Sequence, residues 1–187
     1  DSENNSTRLR FFNSPALAQT ADKMLDLAEI KDGINVWIDY GAGTGWLAKA
    51  MTKRTNISIK AVDFSTDVIS HLRELTDDAI EPVEMNDFFA PEQPQFDFLA
   101  CVDTFEHLND PLSALQQIYK KANNGASVFL SVPNFDSYFS RIHFGCHPYY
   151  SQFPTHLNYF TSMALKQLSE LAGFKVSKQA GVTLPWE

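Results

Sequence analysis

The sequence predicts an α/β domain built on a doubly wound, mostly parallel sheet. Short apolar runs alternate with helical patterns along most of the chain, the signature of successive βαβ units. The run at 34–40 passes straight into Gly41-Ala42-Gly43-Thr44-Gly45 and then into a helical pattern, the strand–turn–helix order of a nucleotide-type site. A length of 187 residues suits a single domain over 1–187 with a sizeable core.

The first helix is expected over 15–30, with Ser14 as cap, Pro15 at the first helical position, and Leu17, Ala21, Met24 and Ala28 on one face. Gly33 would end it. INVWIDY (34–40) reads as a buried strand, the glycine turn follows, and a helix covers 45–54. ISIKAVD (57–63) is the second strand, after which Ser65 caps a helix with Val68, Leu72 and Leu75 on one side and His71 at the surface. A short third strand falls at 82–86 and the fourth at 96–103. Asp110-Pro111 opens a helix that turns Leu112, Leu115, Ile118 and Tyr119 inward, and Asn124-Gly125 closes it. The fifth strand is ASVFLSVP (126–133), a last helix spans 162–172 up to Gly173, and FKVSKQAGV (174–182) reads as a sixth strand.

Composition narrows the function classes. There are 15 basic against 23 acidic side chains, a formal charge of −8, so non-specific attraction to nucleic acid is disfavoured. No run approaches the roughly 18 apolar residues that span a bilayer, and DSENNSTRLR has no apolar signal core. Two cysteines, Cys101 and Cys146, make no disulfide framework and suit a reducing, cytoplasmic setting. The chain starts on Asp1 and stops on GVTLPWE, which reads as a fragment.

The glycine turn departs from both phosphate-binding patterns. The third glycine of G-x-G-x-x-G is replaced by Trp46, and G-x-x-x-x-G-K-[ST] is absent. Asp39 stands immediately before the turn region, where a carboxylate would repel a diphosphate but suit a cationic ligand. Asp63 lies 22 residues beyond Gly41, the place for an acid that accepts from ribose hydroxyls. S-adenosylmethionine, phosphate-free and carrying an ammonium and a sulfonium, fits both acids. Ordinary strand-end solvation is the weaker account of the pair.

VWIDYGAGTG resembles the first motif of class I S-adenosylmethionine-dependent methyltransferases, AVDFS the second and MNDFF (85–89) the third. The resemblance spans residues 15 to about 180. It implies a Rossmann-like sheet in the order 3-2-1-4-5-(7)-6, although no seventh strand is visible after residue 182. It also implies that Asp39, Tyr40 and the backbone of Gly41, Ala42, Gly43 and Gly45 hold the methionine part, and that Asp63 holds the ribose. Phe64 would pack on adenine, Asp87 would bond its amino group or instead serve only to solvate the loop, and Phe88 would add backbone or packing contacts; Asp103 is grouped with these cofactor contacts. CVDTFEHLNDP and THLNYFTSMALKQLSELAGF resemble the branch of the ubiquinone-type O-methyltransferases and the type 11 and type 23 methyltransferases.

Glu106, His107 and His156 are the candidate catalytic groups. Asp103, Glu106 and His107 follow the fourth strand at the carboxyl-end rim, where open α/β sheets bind ligands. A histidine with a pKa of roughly 6.5 can take a hydroxyl proton from an acceptor. A purely structural role, with Glu106 and His107 tying down the loop, stays open. D-x-x-E-H with a distant His is similar to the E-x-x-E-H set that some relatives, including ubiquinone-type and small-RNA 3′-end methyltransferases, use to hold a divalent cation. Asp in the first place shortens the reach, and no metal site is assigned. His143, Cys146 and His147 lack the paired knuckles of structural zinc.

Residues 135–160 hold nine of the 24 aromatics and just two formal charges, Asp136 and Arg141. The segment can cover the sheet edge or line an acceptor pocket. Without a basic track, it favours a small aromatic or lipid-like acceptor over a nucleic-acid strand. The reading that results is methyl transfer from S-adenosylmethionine to a small molecule, foremost at oxygen, with S-adenosylhomocysteine as co-product. Two rivals remain: an enzyme acting on an RNA end or a protein, and a catalytically silent subunit that holds the cofactor.

Overall fold

The computed structural model describes residues 9–30, 32–75, 78–142 and 155–181. A helical turn at 9–12 precedes α1 (Pro15–Leu27), β1 (Trp37–Tyr40), α2 (Trp46–Met51), β2 (Ile59–Asp63) and α3 (Thr66–Leu75). Then come β3 (Ile80–Glu84), α4 (Met85–Phe88), β4 (Phe96–Val102) and a 3-10 turn (Phe105–His107). The described chain closes with α5 (Pro111–Lys121), β5 (Ala122–Ser131), α6 (Tyr138–Ile142) and α7 (Ser162–Leu171). The strands lie in the order β3-β2-β1-β4-β5, and β1 pairs in parallel with both β2 and β4, as β2 does with β3. The doubly wound order expected for the first five strands is thus present. No helix among the described residues is long and apolar enough to cross a membrane.

These residues gather into two compact units: the described part of Asp1–Cys101 with Ala122–Phe129, and Val102–Lys121 with Leu130–Gly181. In the first unit every residue of β1 is buried, as befits a central parallel strand covered on both faces. Trp37 packs against Phe98 with ring centroids 5.3 Å apart. The strand is shorter than the apolar run that encodes it because Asp97 intercepts its start. One Asp97 carboxylate oxygen accepts from the amides of Asn35 (2.9 Å) and Val36 (3.1 Å), and the other from Asn123 Nδ2 (2.7 Å). Despite a desolvation cost, these bonds hold the Asp97 carboxyl below its usual pKa.

Two expectations for this unit need correction. Helix α1 stops at Leu27, where the Ala28 amide closes back on Met24 and Glu29 takes a positive φ of 50°; Gly33 serves the turn beyond. His71 is buried at 5% exposure, because α3 packs on β2 and β3 with Ile69, His71 and Leu72 all turned inward.

In the second unit α5 buries Leu115 and Ile118 and packs on α7, whereas Tyr119 stays half exposed with its ring edge-on to Phe174. Thr161 caps α7 by accepting from the Ala164 amide (3.1 Å). No break follows α5: β5 begins at Ala122, and Gly125 sits inside it with a φ of 83°. The sixth strand is not formed among the described residues. Residues 174–181 have no ladder partner there, and beyond Phe174 and Val176 their side chains are exposed, so the alternation lacks a second surface to bury against. His143, Cys146, His147 and most of the aromatic segment lie outside the described residues.

Gly45 closes the glycine turn under two constraints. Its φ is +78°, and a Cβ there would lie 2.6 Å from Leu72 Cδ2 and 3.4 Å from the Phe12 ring. Gly45→Ala is expected to destabilise the fold by about 2 kcal/mol or more in denaturant titration. A loss below about 0.5 kcal/mol would mean that the turn relaxes freely.

Candidate active site

The first unit builds an acid-lined turn. Gly41, Gly43 and Gly45 all have positive φ (78°, 52° and 78°), a path that side-chain-bearing residues resist. The amides of Gly41 and Ala42 both donate to the Val62 carbonyl at 2.8 and 3.0 Å, which ties the turn to β2. Gly45 is the N-cap of α2 and has no side chain with which to cap it. Asp39 takes that role from β1: its Oδ2 accepts from the Ala48 amide at 2.9 Å. Room for this carboxylate comes from its neighbours, since the residues facing it on β2 and β4 are Ala61 and Ala100. Asp39 is 2% exposed, and burial, opposed by the Ala48 bond and reinforced by Asp63, pushes its pKa up to about 7.

Asp63 ends β2 and organises the same turn. One oxygen accepts from the Gly43 amide (3.0 Å), the other from the Ser65 amide (2.9 Å). A carboxylate has about four lone-pair positions, and these two bonds use two of them among the described residues. Phe64, next in sequence, leaves its ring 68% exposed. Asp87 is exposed on the short α4, whereas the Phe88 ring is buried against Tyr40 and Phe89, at 6.3 and 4.9 Å between centroids. Phe88 therefore offers a ligand its backbone alone. Tyr40 is buried too, and burial raises its phenol pKa.

The second unit brings Glu106, His107 and His156 together. The carbonyl of Glu106 accepts from the amides of Leu157 (2.7 Å) and Asn158 (3.0 Å), and Asn158 Nδ2 donates to the Leu108 carbonyl (2.6 Å). This stitching holds His156 beside the 3-10 turn, with the His107 and His156 rings 4.8 Å apart at 72°. His107 Nδ1 lies 2.8 Å from the Thr155 carbonyl, a contact that requires N–H at Nδ1. In a neutral ring that leaves the Nε2 lone pair free. Thr155 and Asn158 were not among the expected site residues; their contribution is a carbonyl and an amide, which no side-chain pattern announces.

Glu106 is 1% exposed, and neither carboxyl oxygen has a hydrogen-bond partner among the described residues. Burial first, and the charge of Asp103 second, raise its pKa to about 8. Asp103 itself takes a positive φ of 51°, and its amide donates to the Ser131 carbonyl at 2.9 Å. One ligand atom each from Glu106, His107 and His156 falls within 4.8 Å of the others, a carboxylate–imidazole set of the kind that divalent ions accept.

Both raised carboxyls make stability depend on pH. Glu106 and Asp39 stay protonated in the fold at pH values where the unfolded chain already ionises them. Stability is therefore greatest below about pH 4 as far as these two are concerned, and it falls as pH rises towards 7 for Asp39 and 8 for Glu106. Glu106→Gln should flatten this fall between about pH 4.5 and 8 by a few kcal/mol, read from denaturation midpoints across that range. Parallel curves for the two proteins would show that Glu106 is not held protonated.

Comparison with known proteins completes the assignment. A ubiquinone biosynthesis O-methyltransferase from Neisseria meningitidis is 26% identical over 103 residues, 52% of this chain and 43% of that protein. One from Pseudomonas paraeruginosa is 30% identical over 102 residues, 52% of this chain and 44% of that protein. The chain thus matches less than half the length of these curated relatives. Among solved structures, a Haloferax volcanii methyltransferase in complex with the Trm112 methyltransferase activator superposes with a TM-score of 0.73 at 18% identity, covering 89% of this chain and 72% of that one. A Thermotoga maritima S-adenosylmethionine-dependent methyltransferase gives 0.68 at 17% identity, covering 92% and 77%. These two likenesses bear on the fold. The family described as a methyltransferase domain matches residues 9–179, nearly the whole sequence, and this chain belongs to it.

Proposed function

We propose that the protein transfers a methyl group from S-adenosylmethionine to the oxygen of a small-molecule acceptor and releases S-adenosylhomocysteine. The observation that carries this reading is the turn of three positive-φ glycines set between two buried acids, Asp39 and Asp63. A diphosphate would meet the Asp63 carboxylate there and oppose ionisation of Asp39, whereas a phosphate-free cation is attracted to Asp63 and favours the ionised form of Asp39. When bound, S-adenosylmethionine supplies an electrophilic methyl group on its sulfonium.

The residues of the chain take separate parts. Asp63 accepts from the ribose hydroxyls with the lone pairs that Gly43 and Ser65 leave open. Asp39 holds the turn in shape through the Ala48 amide and adds negative potential when a bound cation favours its ionised form. The exposed Phe64 ring gives the adenine an apolar face, with Asp87 to accept from its amino group. Asp103 supplies further polar contact to the cofactor. His107 and His156 serve the acceptor: a neutral imidazole removes the hydroxyl proton as the oxygen attacks. At His107 the free Nε2 receives that proton, because Nδ1–H is committed to the Thr155 carbonyl. Glu106, buried beside the two rings, favours the cationic form of a histidine to the extent that it is itself ionised.

Calorimetry with S-adenosylhomocysteine and turnover on a panel of phenols test the parts separately. Asp63→Ala should weaken S-adenosylhomocysteine at least tenfold; unchanged affinity removes the cofactor assignment. His156→Ala should lower turnover at least tenfold with the affinity for S-adenosylhomocysteine intact, and equal turnover retires its role at the acceptor. Tight cofactor binding with no turnover on small acceptors would point instead to a macromolecular acceptor or a silent cofactor-holding subunit.

A further inference from the structure

Trp46, the residue that spoils the dinucleotide fingerprint, lines a cavity of about 340 Å³ in the first unit, together with Phe12, Pro15, Ala18, Lys49 and Lys53. None of the glycine-turn, Asp39 or Asp63 positions lines it. Trp46 and Lys49 lie one turn apart on α2 and Lys53 follows just beyond its end, so an aromatic ring and two lysines line the same space. Phe12, at the end of the preceding helical turn, provides a second aromatic wall. Lys49 Nζ lies 4.3 Å from the centre of that ring and is fixed by Asn13 Oδ1 at 2.6 Å. Asn13 is in turn anchored by its Nδ2 to the Leu9 carbonyl (3.2 Å). The Lys49 ammonium is thus pre-positioned at the cavity.

The charge balance is the second observation. In a chain of net charge −8, this cavity is lined by two lysines and, among the described residues, no acid. The nearby acids of α1 are engaged elsewhere, since Arg54 takes Asp26 (2.7 Å) and Asp22 (3.3 Å). Neither Lys49 nor Lys53 has an ion-pair partner among the described residues. A phosphate would find few backbone N–H donors here, because the start of α1 is Pro15, and the Ser14 side chain already accepts the Leu17 amide. Point charges beside aromatic walls suit a carboxylate on a flat apolar body, and the volume lies within the range of small-molecule sites.

We propose that this cavity is a second ligand site, separate from the glycine turn, that takes a small aryl carboxylate. Its ring would lie against Trp46 and Phe12 and its carboxylate between Lys49 and Lys53. The test uses 2-naphthoate and its neutral counterpart 2-naphthamide on the full chain, with calorimetry and the indole N–H resonance of Trp46 as readouts. 2-Naphthoate should bind one to one and shift the Trp46 signal, with 2-naphthamide at least tenfold weaker. Lys49→Gln with Lys53→Gln should cost at least tenfold in affinity, and Lys53→Gln alone, at an exposed position, at least threefold. Absence of saturable binding overturns the proposal. So does unchanged affinity in both lysine variants, equal binding of the amide, or displacement of 2-naphthoate by S-adenosylhomocysteine, which would return the ligand to the glycine turn.

Discussion

A helix that begins at a left-handed glycine has no side chain with which to satisfy its first amides, and the chain solves this from across the turn. Asp39, in the middle of the sheet, reaches the Ala48 amide of α2 and is almost fully buried in doing so. That one bond fixes where the helix starts and how tightly the glycine turn curls. It also explains why the flanking strands place alanines beside it: a larger neighbour on either side would take the space of the carboxylate. Asp63 repeats the device one strand over, with the Gly43 and Ser65 amides. The turn is therefore shaped by acids before any ligand arrives, a form of pre-organisation that lowers the ordering cost of binding.

The candidate acceptor groups rest on a different physical basis. Burial and the charge of Asp103 outweigh the one backbone contact that opposes them and raise the pKa of Glu106, and the two histidines beside it are held by backbone contacts from residues 155–158. Half-satisfied buried polar groups are costly in a core of purely structural purpose. Both carboxyl oxygens of Glu106 carry that cost, three residues from an Asp103 at positive φ.

Much of this was legible in the sequence, and the reasons differ by element. β1, β2 and β4 announce themselves as apolar runs because central parallel strands are buried on both faces, and glycines at 41, 43 and 45 mark a turn that only they can follow without strain. Helix ends were less legible. The end of α1 at Leu27 is set by packing and a positive-φ Glu29, where Gly33 looked like the natural stop. His71 read as a surface residue by type, yet α3 packs with that side inward. The segment at 174–181 shows the limit most clearly: an alternating pattern encodes the readiness to pair, but a strand exists only where another edge meets it. The links from Thr155 and Asn158 to the 3-10 turn run largely through backbone groups, which every residue carries and no motif singles out.

The Asp97 clamp has a consequence for the order in which the chain can assemble. It joins the start of β1 to a carboxylate 62 residues downstream, and the same strand, β4, forms one side of the central pairing. Until that stretch has been synthesised, β1 can be flanked by β2 on one side alone, and its other edge stands open. The middle of the sheet is thus completed late, after a loop closure of about 60 residues. A nascent chain emerging from the ribosome would carry an unpaired central strand for as long as β4 is missing, and in that interval the protein is most exposed to pairing with the wrong neighbour.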